Sequence, residues 1–295
     1  VNLDVDLVTE HKWGLTLANP ILVAAGFAGY GATLGQIGEL SALGGIITNP
    51  VSPRPWQGSQ SPRFYEFPGG VLLHTGNQNP GFRYIAKTYG SLWSKLDTVV
   101  IAHICGSHQD AYLDLAVRLE GIEGLSALEL SFPWSHREGW DIPWGLELIE
   151  ALDGHTLYPL LVQLPIWADK VLAEEIVEAG ADVLVIAAPP HGVVRDEGGA
   201  VAQGETFGPF ALPIMLERLQ RLTGALSCPI IARGGIHTLD DILACLTVGA
   251  WAVQLDAVLW RQPDAPWILL DALQEWMTQQ GLTDLGQLRE DTGAT

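Results

Sequence analysis

Eight short apolar runs, each followed by a longer amphipathic or glycine-broken segment, constrain this chain more than any other feature. They are ILVAA at 21–25, GGIITN at 44–49, TVVIAHIC at 98–105, ALELSF at 127–132, YPLLVQLP at 158–165, DVLVIAA at 182–188, PIIARG at 229–234 and WAVQLDA at 251–257. Runs that are apolar at consecutive positions suit strands covered on both faces, as in a parallel sheet ringed by helices. The segments between them predict helices near 33–42, 80–95, 109–121, 143–152, 168–179, 212–224 and 238–248, with a closing helix near 265–280. This rhythm predicts an α/β fold, a single (β/α)8 TIM barrel over 1–295 with long top-face loop insertions. The opening LDVDLVTE and KWGLTLANP read as an N-terminal β-hairpin within 1–20, and 281–295 as a C-terminal tail. Residues 189–211 have almost no periodicity and read as an insertion after the sixth strand, either a lid or a disordered loop.

Composition narrows the partners. With 48% apolar and 17% charged residues the chain packs a large core and is not disordered. No apolar run approaches the roughly 20 residues of a membrane span. A formal charge of −19 repels phosphodiester backbones and anionic lipid, so neither nucleic acid nor membrane is expected as a partner. The opening residues have no basic start and no apolar stretch, so no secretory signal is read there. Cys105, Cys228 and Cys245 lack metal-ligand spacing and are odd in number, which fits a reducing cytoplasm.

The run YEFPGGVLLHTGNQNPG at 65–81 is dense in turn formers and must build a shaped loop. With the preceding GGIITNPVSPRPWQGSQSPRFYE it resembles the dihydroorotate dehydrogenase family, closest to its soluble class 1 members. That resemblance implies an FMN cofactor at the C-terminal ends of the strands, a homodimer and, in one branch, an added electron-transfer subunit. Flavin contacts then fall on Ala25, Gly26, Asn49, Gln163, Gly208, Gly234 and Gly235, the glycine pair after the seventh strand receiving the phosphate.

Several positions depart from the family pattern. Asn49 and Gln163 stand where the family has lysines, and Asp256 and Ala257 where it has Gly-Thr beside the phosphate. A carboxylate next to a phosphate dianion is strongly unfavourable. An Arg233–Asp256 ion pair is therefore expected to replace the phosphate. Phe132 occupies the position of the catalytic base and cannot accept a proton, while Trp134, Leu73, Ala188 and Pro189 replace residues that read orotate.

New polar residues appear instead. His103 and Glu129, on adjacent strands, form a candidate acid/base pair. With His74 and His191 they are residue types that a divalent metal takes, but a lone histidine is more often a hydrogen-bonded packing residue and no local H-x-H spacing supports a ligand set, so no metal is expected. Leu73, His74, Asn79, Trp134 and His191 are the candidate substrate pocket, to which Trp140, Trp144 and Trp167 add aromatic surface. The expectation is a diverged member, a pseudoenzyme candidate that does not oxidise dihydroorotate, has FMN binding lost or weakened, and binds another small molecule. Three alternatives stand beside it: an FMN-dependent oxidoreductase with a new substrate, a non-catalytic subunit or scaffold, and a metal-assisted lyase or hydrolase.

Overall fold

The computed structural model describes residues 1–11, 13–131, 134–135, 139–195, 198–199 and 201–290, with backbone alone at 134–135, 139–140 and 289–290. Eight parallel strands close into a barrel: β1 (Ile21–Val23), β2 (Gly45–Ile47), β3 (Val99–His103), β4 (Ala127–Ser131), β5 (Leu160–Leu164), β6 (Val183–Ile186), β7 (Ile230–Arg233) and β8 (Ala252–Leu255). Each strand pairs with its neighbours in sequence, and β8 closes on β1 through Val253↔Ile21 and Leu255↔Val23. Nearly every barrel residue is buried, because helices cover the outer face while side chains fill the interior.

The surrounding helices are α1 (Phe82–Trp93), α2 (Gln109–Leu119), α3 (Ile142–Asp153), α4 (Lys170–Glu178), α5 (Ala211–Leu222), α6 (Leu239–Val248), α7 (Val258–Arg261), α8 (Ala265–Gln280) and α9 (Gln287–Glu290). Their ends follow from local chemistry. Asp141 and Asp169 side chains accept the N–H groups of Trp144 and Leu172 and so start α3 and α4. Thr238 and Asp241 form a reciprocal capping box at α6, which ends at Gly249 in the left-handed region, φ +116°.

The helix expected near 33–42 is instead two 3-10 turns, Leu34–Gln36 and Leu40–Ala42. Glycines at 31, 35, 38 and 44 weaken a helix here. At Gly38 the Trp267 ring of α8 lies so close that an added Cβ would sit 2.5 Å from it.

The N-terminal hairpin forms as expected, Val5–Val8 against Leu15–Leu17. Its Trp13 ring lies 6.0 Å from that of Tyr158, just before β5, which places the hairpin at the N-terminal end of the barrel. Past α8 the chain returns to this end: Asn2 bridges Asp284, and Leu285 and Leu288 are buried.

The opposite end carries the main surprise. Within the segment read as an insertion without periodicity, His191–Arg195 and Val201–Phe207 pair as a β-hairpin. Its second strand pairs with Gly70–Leu73, which pairs in turn with Phe64–Phe67. Two insertions far apart in sequence thus build one four-stranded antiparallel sheet on the top face. The long loop keeps its backbone shape through Asn79, whose Oδ1 accepts from Ser52 Oγ (2.8 Å) and Gly81 N (2.9 Å).

Candidate functional site

Five barrel strands place polar side chains inside the barrel, where aliphatic residues would ordinarily fill it: His103, Glu129, Gln163, Arg233 and Gln254. Glu129 is fully buried and organises them. Its Oε1 meets His103 Nδ1 at 3.0 Å and accepts from Gln163 Nε2 at 2.6 Å, while Oε2 accepts from Gln254 Nε2 at 2.6 Å. Ser131 Oγ donates to Gln163 Oε1 at 3.1 Å. Burial pushes the Glu129 carboxyl up, but the His103 hydrogen bond and charge, the Arg233 charge and the Gln254 amide outweigh it and hold the pKa below the usual carboxylate value. The site therefore carries an ionised carboxylate on the barrel axis. His103, with Nδ1 held by Glu129, has Nε2 left for the solvent side.

Beside β7 and β8 the space expected for a phosphate is closed. Only about 10 Å³ is free among Arg233, Gly234, Gly235, Asp256 and Gly208, roughly the room of one water. Gly235 (φ +74°) packs onto the start of α5, where an added Cβ would come within 2.5 Å of Leu212 N. Asp256 is 2% exposed, and burial pushes its carboxyl up against the smaller opposing effects of Arg233, the Ala257 N–H and His237.

The expected Arg233–Asp256 contact pair does not form among the described residues. Asp256 Oδ1 accepts instead from Ala257 N at 2.6 Å, and Arg233 Nη2 donates to Ala25 O at 3.4 Å. Arg233 acts through space on three carboxylates at once, those of Glu129, Glu205 and Asp256. Next to this region the rings of Phe27, Phe207 and Trp260 meet edge-to-face or tilted, with centroids 4.7 to 5.7 Å apart.

A separate cavity of about 700 Å³ opens between the top-face sheet and the ends of β3, β4 and β6. Leu73, His74, His103, Ser131 and His191 line it, as do Glu205, Cys105, Trp56, Tyr112 and Trp144. That volume is typical of a small-molecule site. Cys105 is no nucleophile there, since burial pushes its thiol up to about 12.

The cavity brings together most of the residues singled out from the sequence, with two corrections. Asn79 is not a pocket residue: it is 5% exposed, its Oδ1 accepts from Ser52 and Gly81, and its Nδ2 donates to Asn77 O and Cys105 Sγ. Gln163 is not turned toward a cofactor, because both ends of its amide are held by Glu129 and Ser131. Among the described residues no group of three or more His, Cys, Asp or Glu side chains that could hold a metal ion occurs. Glu129 lies below the cavity, engaged with its three donors.

Asn49, at the end of β2, has an enclosed Oδ1 without a hydrogen-bond partner, and Ala25 and Gly26 follow β1. Phe132, at the family's base position, and the side chains of Trp134 and Trp140 lie outside the described residues.

Two residues of this region escaped the sequence reading. Gln254 is the lone polar residue inside a buried strand, and that isolation was its signal. Glu205 carried no signal until the sheet register was known, for only pairing with His191 and Leu73 sets it above the cavity.

No helix among the described residues is long and apolar enough to cross a membrane. A profile of the dihydroorotate dehydrogenase family matches residues 7–277. Among curated relatives, "Dihydroorotate dehydrogenase B (NAD(+)), catalytic subunit" of Desulforudis audaxviator is 30% identical, covering 93% of this chain and 94% of its own. The protein of the same name from Thermodesulfovibrio yellowstonii is also 30% identical, over 95% and 97% of the two chains. That from Listeria monocytogenes is 29% identical over 94% and 96%. Barrel, top-face loops and full-length similarity agree, and the chain belongs to the dihydroorotate dehydrogenase family.

Proposed function

We propose that this chain is a remodelled member of the family that does not oxidise dihydroorotate with a flavin and instead binds a different small molecule in its top-face cavity. The relatives carry the names of active enzymes, so their names lend no support to a lost activity. The reading rests on one observation above all: the phosphate cup has about 10 Å³ of free space and a buried Asp256 carboxyl on its wall. An FMN phosphate would need that volume and would meet the carboxylate at close range.

The residues further along agree. Gln163 and Asn49 supply no cation to a reduced flavin, and ionised Glu129 adds a negative charge on the axis. The residues present do not fit the flavin. What remains able to do chemistry is His103. Its Nδ1 is held by Glu129, which as a positioning residue orients the ring. His103 Nε2 is the group that accepts or returns a proton at the cavity wall.

Purified protein is expected to be colourless and to leave dihydroorotate unchanged. Stoichiometric absorbance near 450 nm together with dihydroorotate turnover would overturn the proposal. A second subunit is carried over from relatives named as catalytic subunits and a homodimer from the family resemblance, and light scattering alone and with a candidate subunit reads both.

A further inference from the structure

We propose that the top-face cavity takes an organic cation, a protonated primary amine on an apolar or aromatic body. This rests on the reading of the cavity as a small-molecule site, and it names the ligand class. Three observations carry it.

First, the roof holds a carboxylate without a counter-group. Glu205 pairs through its backbone with His191 on one side and Leu73 on the other, so all three side chains share the face that meets the cavity. No hydrogen bond or ion pair joins the Glu205 carboxylate to another described side chain. Burial pushes this carboxyl up, and the more distant charges of Arg233 and His103 relieve it only in part. An ammonium group would supply the missing partner.

Second, the walls suit the body of such a ligand. Trp56, Tyr112 and Trp144 line the cavity, and the rings of Tyr112 and Trp144 meet edge to face at 6.4 Å. Aromatic faces attract both a cation and an apolar ring.

Third, among the described residues neither lysine nor arginine lines the cavity, whereas the acidic residues Glu205 and Asp141 do. The overall charge of −19 draws cations and repels anions as they approach. Dihydroorotate, itself a carboxylate, belongs to the disfavoured class.

The experiment uses the full chain and three probes of nearly equal shape: phenethylamine, phenethyl alcohol and 3-phenylpropionate. Binding is measured by calorimetry near neutral pH, with tryptophan fluorescence as a second readout. Phenethylamine is expected to bind at least about tenfold more tightly than the alcohol, the factor that one charge-assisted contact supplies. The propionate is expected to bind more weakly than either.

Glu205→Gln should bring the amine down to the affinity of the alcohol while leaving the alcohol unchanged, and an unshifted circular dichroism spectrum confirms that the variant folds. Equal or tighter binding of the propionate, no binding by any probe at millimolar concentration, or full amine affinity in a folded E205Q would each overturn the proposal. A colourless protein with any of these results keeps the flavin-free reading and loses only the ligand class. A yellow protein that oxidises dihydroorotate removes the reading beneath it.

Discussion

Replacing Glu129 tests the centre of the barrel most directly. Its carboxylate accepts from His103 and Gln163 on one oxygen and from Gln254 on the other. Glu129→Leu would leave those donors unpaired in a buried layer, and removing one partner of a buried charged network costs about 3–5 kcal/mol. Glu129→Gln is gentler. Gln254 Oε1 has no partner, so its amide can turn and accept from the new NH2 group. What is lost is charge assistance, about 1.5–3 kcal/mol for one such bond.

Both values are large beside a total stability of about 5–15 kcal/mol. Urea unfolding followed by the fluorescence of the eleven tryptophans would measure them. The sign also follows from the titration. A carboxyl whose pKa is held below 4.5 in the folded state stabilises the fold above that value and loses the contribution as pH falls through its folded pKa. The gap between wild type and E129Q should thus persist above about pH 4.5 and shrink below it. An E129Q variant as stable as wild type at pH 7, or more stable, would refute the ionised, hydrogen-bonded carboxylate.

Two further outcomes follow from the closed phosphate cup. Asp256→Asn should raise Tm at pH 7, by about 2–4 °C for each kcal/mol relieved, because the folded pKa is raised and the ionised form opposes folding. That gain should vanish as pH falls toward 3.8, where the carboxyl is already neutral in the folded state; a lower Tm for D256N at pH 7 would contradict it. Gly235→Ala should destabilise by about 1–3 kcal/mol in urea, since it combines φ +74° with a Cβ 2.5 Å from Leu212 N, and a neutral result would mean that the loop is not packed on α5.

The barrel was legible because buried parallel strands leave a dense apolar imprint, and all eight runs from 21–25 to 251–257 became its strands. Helices with apolar periodicity and a cap, such as α6 behind Thr238, were legible for the same local reason. The stretch 33–42 was misread because its apolar spacing suited a helix, while its glycines and the Trp267 contact, which is distant in sequence, did not. The top-face hairpin was hidden because an alternating strand signal needs one wet and one dry face. Here Val193 and Val201 are exposed while Thr206 and Phe207 are buried.

His103 and Glu129 were identifiable as polar residues closing apolar strands, and they do meet. The Arg233–Asp256 pair was inferred from adjacency of β7 and β8, but adjacency does not fix direction: Arg233 shares its field with Glu129 and Glu205 across the barrel.

The sheet stitched from residues 64–73 and 191–207 separates two tasks that most binding sites combine. The barrel below supplies a fixed floor, with the His103 imidazole held by Glu129. The roof contributes a row of side chains, His191, Glu205 and Leu73, set by cross-strand pairing and not by the barrel core. Such a row works like an exchangeable faceplate. Changing what stands at 73, 191 or 205 alters which molecule the cavity admits while the hydrogen bonds that hold the plate remain those of the backbone. One scaffold can therefore change clients without being refolded.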